Sequence, residues 1–204
     1  AITIREGDQL LEAKMTTGNS QIMMAVKSGK SIRFEEEKVR SMGRTAAGVR
    51  GIRLPSEEDE VVGMICINDL ESSVLVVSEN GYGKRSDVED YRVTNRGGKG
   101  VKTINITEKT GSLIALKSVT DADDLMVINK SGITIRIGVD TLRVMGRATQ
   151  GVKIIRLKDE DSIASVANVS KWEEEEQLLL DEDGNEISND EIVVSEDLEN
   201  NEPS

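Results

Sequence analysis

Four sets of basic side chains recur in register along the chain: Arg33, Arg85 and Arg136; Arg40, Arg92 and Arg143; Arg44, Arg96 and Arg147; and Arg50, Lys102 and Lys153. Within every set the spacing is 52 and then 51 residues. Guanidinium and ammonium groups neutralise phosphate, and the planar arginine fork can bind two oxygens at once. Set side by side on one edge of a repeating fold, these twelve side chains make a basic stripe suited to an anionic polymer. A competing reading pairs them with the nearby acids Glu35 to Glu37, Asp87, Glu89, Asp90 and Asp140, which would leave little external field. The string Asn95-Arg-Gly-Gly-Lys-Gly100 adds Lys99, and its glycines leave backbone N–H groups open to an anion. It fits neither the Walker pattern nor the dinucleotide fingerprint, and in isolation such a string is a flexible turn.

Other chemistry is sparse. The chain has no histidine, so an imidazole base, a His-based triad and an ordinary zinc site are excluded. Its one cysteine, Cys66, lies in the apolar run VVGMICI and reads as a buried bystander, and a single thiol forbids an intrachain disulfide. With aromatics at 2%, there are too few rings for single-stranded bases to stack on, which favours contact with a duplex backbone.

The elements that must position these bases form a threefold repeat. Segments starting at Ile22, Val74 and Leu125 align so that Gly29, Gly81 and Gly132 coincide, as do Gly48, Gly100 and Gly151. Every copy opens with two short aliphatic runs around a glycine turn, the signature of a β-hairpin. A polar stretch follows, and then further apolar runs such as Val49 to Leu54 and Val61 to Ile67, expected as two more strands. About four strands per unit is the pattern of a propeller blade, whose faces are buried only by its neighbours. Residues 1–15 match the end of a copy, as IRLPSEEDEVVGMI does.

The net charge of −12 is unevenly divided. Residues 172–204 hold fourteen Asp and Glu and no base, leaving 24 acids against all 26 bases in residues 1–171, a net charge of +2. The body is mildly basic, and residues 172–204 are expected to be a disordered acidic C-terminal tail. No apolar stretch reaches the roughly 20 residues of a membrane helix, and with one thiol and no signal-peptide pattern the expected setting is cytoplasmic.

The strings MGRTAAGVRGIRL (42–54), NGYGKRSDVEDYRV (80–93) and VMGRATQGVKIIRL (144–157) closely resemble the C-terminal domain of the bacterial DNA gyrase A family, a type IIA DNA topoisomerase. The likeness runs from residue 1 to about 171. It implies an all-β fold, a β-pinwheel in which each propeller-like blade exchanges a strand with its neighbour. Blades would span about 22–73, 74–124 and 125–171, with residues 1–21 ending a preceding one. The resemblance further implies that the outer edge of residues 1–171 binds and wraps double-stranded DNA, so that the ATP-dependent holoenzyme introduces negative supercoils.

In that family the partner is the gyrase B protein, in an A2B2 holoenzyme. ATP and Mg belong to that partner and to the catalytic core, with no cofactor in this part. The family's wrapping loop resembles Gln-Arg-Arg-Gly-Gly-Arg-Gly. Here Arg96 to Gly100 matches its end, but Thr94 and Asn95 stand where Gln and Arg are expected, so the string resembles a degenerate copy. The family's DNA-cleaving tyrosine lies between an arginine and a threonine in another domain. Tyr82, in Gly-Tyr-Gly, and Tyr91, before Arg92, do not match, and are expected as a turn residue and a partly buried anchor. Two alternatives remain open at this point: the equivalent domain of the topoisomerase IV A protein, and a propeller-like protein-interaction scaffold.

Overall fold

Gly29, Gly81 and Gly132 take φ of 80°, 82° and 86°, a left-handed conformation that side chains resist, and each reverses the chain between two short strands. A computed structural model describes residues 2–158 and 161–170. Its strands are β1 (Gln21–Val26), β2 (Lys30–Glu35), β3 (Val61–Ile67), β4 (Ser73–Ser78), β5 (Tyr82–Asp87), β6 (Val101–Lys102), β7 (Leu113–Val119), β8 (Asp123–Asn129), β9 (Thr134–Gly138), β10 (Val152–Lys153) and β11 (Ile163–Ser170). The hairpins β1–β2, β4–β5 and β8–β9 are each followed by one turn of 3-10 helix, at Glu36–Lys38, Val88–Asp90 and Val139–Thr141. An irregular arm then leads to the third strand of the copy. β3 returns antiparallel to β1, and β7 to β4.

The fourth strand comes from the next copy. Sheet orders are β3-β1-β2-β6, β10-β5-β4-β7 and β11-β8-β9. β6, from the second copy, lies on the hairpin of the first, with Ser31 opposite Val101 and Lys30 opposite Lys102. β10, from the third copy, repeats this on the second, with Gly83 opposite Val152 and Tyr82 opposite Lys153. The arm leading into each exchanged strand is also anchored to the same hairpin. Thr94 N donates to Arg33 O at 2.8 Å and Met145 N to Arg85 O at 2.9 Å. Close approach explains two members of the second glycine triplet: a Cβ on Gly151 would stand 2.6 Å from the Gly83 carbonyl oxygen, and one on Gly100 would collide with that of Ser31. At Gly48 a Cβ would meet nothing within 4 Å, and its φ of 81° is what favours glycine.

β4 is buried along its whole length because it has interior on both faces. Val74 and Val76 join Met23, Ala25, Ile65, Leu113 and Leu116 in a core shared with the first sheet. Leu75 and Val77 join Leu125, Val127, Ile163 and Val166 in a core shared with the third. The alternation of a strand thus serves two interiors. A third cluster, with Ile22, Val26, Ile32, Phe34 and Ile52, covers the other face of the first sheet.

The run Val49 to Leu54 is not a strand, contrary to the sequence-based expectation. Its counterparts β6 and β10 pair with the preceding hairpin, and among the described residues no hairpin lies ahead of β1 for Val49 and Arg50 to join. Residues 2–19 contain only turns and bends, yet Thr3 N donates to Ala46 O at 3.4 Å, just as Arg53 N donates to Gly98 O at 2.8 Å and Asn105 N to Thr149 O at 3.1 Å. Residues 1–168 form one compact unit, and of the remainder only Val169 and Ser170 are described. The expected acidic tail lies outside the described residues.

Candidate nucleic-acid interface

The four sets of bases divide by where their strands and arms carry them. Arg33 and Arg85 sit in the middle of β2 and β5 and are 6% and 8% exposed. Arg33 Nη1 donates to the carbonyls of Val88 and Tyr91 at 2.7 and 3.0 Å, and its Nε donates to Gln21 at 2.7 Å. Burial lowers the pKa of Arg33, while Glu35 and Glu89 act in the opposite sense. Arg85 repeats the contact one copy on, donating to Val139 O at 3.1 Å, and pairs with Asp121 at 2.6 Å. Arg136, half-buried, pairs with Asp124 at 2.6 Å. The expectation that all twelve bases turn outward therefore fails for this set. Arg33 and Arg85 staple one copy to the 3-10 turn of the next, because the strand face they occupy is closed by that neighbour.

The second set behaves as expected: Arg40, Arg92 and Arg143 follow the three 3-10 turns and are all exposed. In the third set Arg44 is exposed, whereas Arg96 and Arg147 are half-buried and reach back to the preceding copy. Arg96 donates to Lys38 O at 3.0 Å and to Arg50 O, and Arg147 donates to Lys102 O at 2.8 Å. The fourth set, Arg50, Lys102 and Lys153, is exposed, as is Lys99. These last contacts join the sets: Arg96 lies on Arg50, and Arg147 on Lys102, so bases of consecutive copies are placed side by side along the stacked arms. Gly97 N, donating to Gly51 O at 2.7 Å, holds the same stack. None of the nine bases of these three sets, nor Lys99, makes a salt bridge among the described residues.

Two lysines escaped the sequence reading. Lys84 is 1% exposed and donates to Gly146 O at 2.6 Å, tying the third copy's arm to β5. Burial pushes its pKa down to about 8, with Asp90 raising it and Arg147 lowering it further. Its counterparts are Ile32, which is buried, and Ile135, which is exposed, so the register does show a lysine where the other copies carry isoleucine. Lys109 lies 5.4 Å from the centre of the Tyr82 ring, with Lys153 at 5.8 Å. Tyr82 itself opens β5 rather than forming the turn, and Tyr91 is 1% exposed, its hydroxyl 2.7 Å from that of Thr103. Cys66 is half-buried, and burial pushes its thiol pKa up.

Repeats of which the second and third lend a strand to the preceding sheet, with cationic arms stacked copy on copy, define a β-pinwheel of the propeller class. The family model described as "DNA gyrase C-terminal domain, beta-propeller" matches residues 20–68, 72–120 and 123–170. The chain belongs to that family. It is 43% identical over 201 residues to the DNA gyrase A protein of Staphylococcus aureus strain MRSA252, covering 96% of this chain and 23% of the relative, so it spans about a quarter of that protein's length. Among solved structures, a DNA gyrase A C-terminal domain superposes with a TM-score of 0.74 at 26% identity, covering 82% of this chain and 56% of the other. The C-terminal domain of DNA topoisomerase IV superposes at 0.78 with 22% identity, covering 83% and 52%, a likeness of fold alone. Among the described residues no helix is long and apolar enough to cross a membrane.

Proposed function

We propose that this chain is a non-catalytic DNA-binding and DNA-wrapping portion of a DNA gyrase A protein. The observation that carries this reading is the run of ten bases, exposed or half-buried and unpaired by acids, along arms that hydrogen-bond to one another across copies. Backbone phosphates are the natural ligands for such a run, and contacts of this kind hold a duplex without reading its sequence. Bending a site of 20–30 base pairs by 40–90° costs about 1–6 kcal/mol, which the phosphate contacts must offset. On this reading the whole A protein works with the gyrase B protein in an A2B2 holoenzyme, where ATP and Mg act on the partner and the catalytic core. The holoenzyme is a topoisomerase that introduces negative supercoils in the bacterial cytoplasm, at the nucleoid. The scaffold reading retains the first set, since Arg33 and Arg85 serve contacts between copies.

The test is affinity for a duplex of about 40 base pairs against salt. Log K is expected to fall linearly with log salt, by about 0.9 for each phosphate neutralised. Absent or salt-independent binding overturns the proposal.

A further inference from the structure

The second copy's arm differs from the other two in its chemistry. Where it has Gly97-Gly98-Lys99-Gly100, the first copy has Thr45-Ala-Ala-Gly48 and the third Ala148-Thr-Gln-Gly151. Under this arm, against β2 of the first copy, is a cleft of about 180 Å³ lined by Ser31, Arg92, Asn95, Gly98, Lys99 and Gly100 among others. Arg92 and Lys99 bring positive charge to it, and no acidic residue lines it. The backbone N–H groups of Gly98 and Lys99 make no hydrogen bond among the described residues. Ser31 is fully buried, and its hydroxyl is without a partner. At the next junction the counterpart of Ser31 is Gly83, which has no hydroxyl, and Lys84 sends its ammonium to Gly146 O.

Resting on the DNA-binding reading, we infer that this cleft is a discrete seat for one tetrahedral oxyanion of the phosphate class, in DNA a single backbone phosphate, which the other junction lacks. Arg92 and Lys99 supply the charge, and the amides of Gly98 and Lys99 the directed donors. An arm without the paired glycines and the lysine offers screening but no seat.

The test uses the full chain labelled with ¹⁵N and titrated with inorganic phosphate at constant ionic strength. Saturable shifts are expected in the amides of Gly97 to Gly100, with those of Ala148 to Gly151 unmoved. The double variant G98T/K99Q gives this arm the residues found at the same positions of the third copy. A Cβ at Gly98 meets Ile32 Cδ1 at 3.5 Å, an ordinary contact, so the fold is expected to persist. The variant should abolish the saturable shifts and lower the slope of log K for duplex binding against log salt by about one unit. Non-saturating shifts, an equal response of both arms, or a response that survives in G98T/K99Q overturns the seat. Adding a 40-base-pair duplex separates the sources. Displacement of phosphate supports a DNA phosphate as occupant, whereas a duplex that binds and leaves phosphate seated overturns that assignment in favour of a free anion. Duplex binding by both proteins, without any seat, leaves the wider reading standing.

Discussion

Arg33 and Arg92 are the same residue type in consecutive copies, yet they do opposite work. Replacing Arg33 by methionine leaves the Tyr91 carbonyl without its donor and the Val88 carbonyl with only the Tyr91 N–H, and a loss of about 2–3 kcal/mol is expected in urea unfolding. Arg92→Gln removes only an exposed group and should change stability by less than about 0.5 kcal/mol while weakening duplex binding. The recurrence of charge was legible, but its direction was not. Period-2 alternation turns Arg33 away from Ile32 and Phe34, which suggests solvent. In the fold that face is closed by the next copy, so the residue opposite a core position is also interior.

Lys84 gives a pH-dependent counterpart. Its folded-state pKa, about 8, lies below the ordinary 10.5, so between these values the unfolded chain binds more protons and stability rises with pH. The penalty of the buried ammonium is fully present below about pH 8 and relieved above 10.5. Lys84→Ile, the residue of both counterparts, is expected to unfold at higher urea than the parent at pH 7, with the gap closing toward pH 10. A gap that stays constant with pH would show that Lys84 does not titrate in this range.

At the scale of the element, the exchanged strand depends on a glycine. Gly100 has φ of 69° and stands against the Ser31 carbonyl, so Gly100→Ala adds both backbone strain and a collision. A cost of about 2 kcal/mol or more is expected, with hydrogen exchange of the Ser31 and Val101 amides speeding up while those of β4 and β7 hold. The hairpins were legible because their glycine turns and aliphatic runs are local signals. The runs at β6 and β10 were expected as strands, but which of them pair was not legible, since Val49-Arg50 and Val101-Lys102 read alike and, among the described residues, only the second has a hairpin to pair with. A strand this short is defined by its partner.

At the scale of the molecule, the first two sheets each borrow a closing strand from the next copy, and the same borrowing lines up the outward bases. Residues such as Val74 and Leu75 bury opposite faces of β4 in different cores, so loss of one interface should propagate to the next. The arms that cross between sheets carry Arg40, Arg92 and Arg143 at equivalent points. The most direct measurement is the slope of log K against log salt for a 40-base-pair duplex, taken for the parent chain and for R40Q/R92Q/R143Q. A slope shallower by about three units with unfolding unchanged is expected if all three touch phosphate. An undiminished slope would contradict a cationic track along the arms.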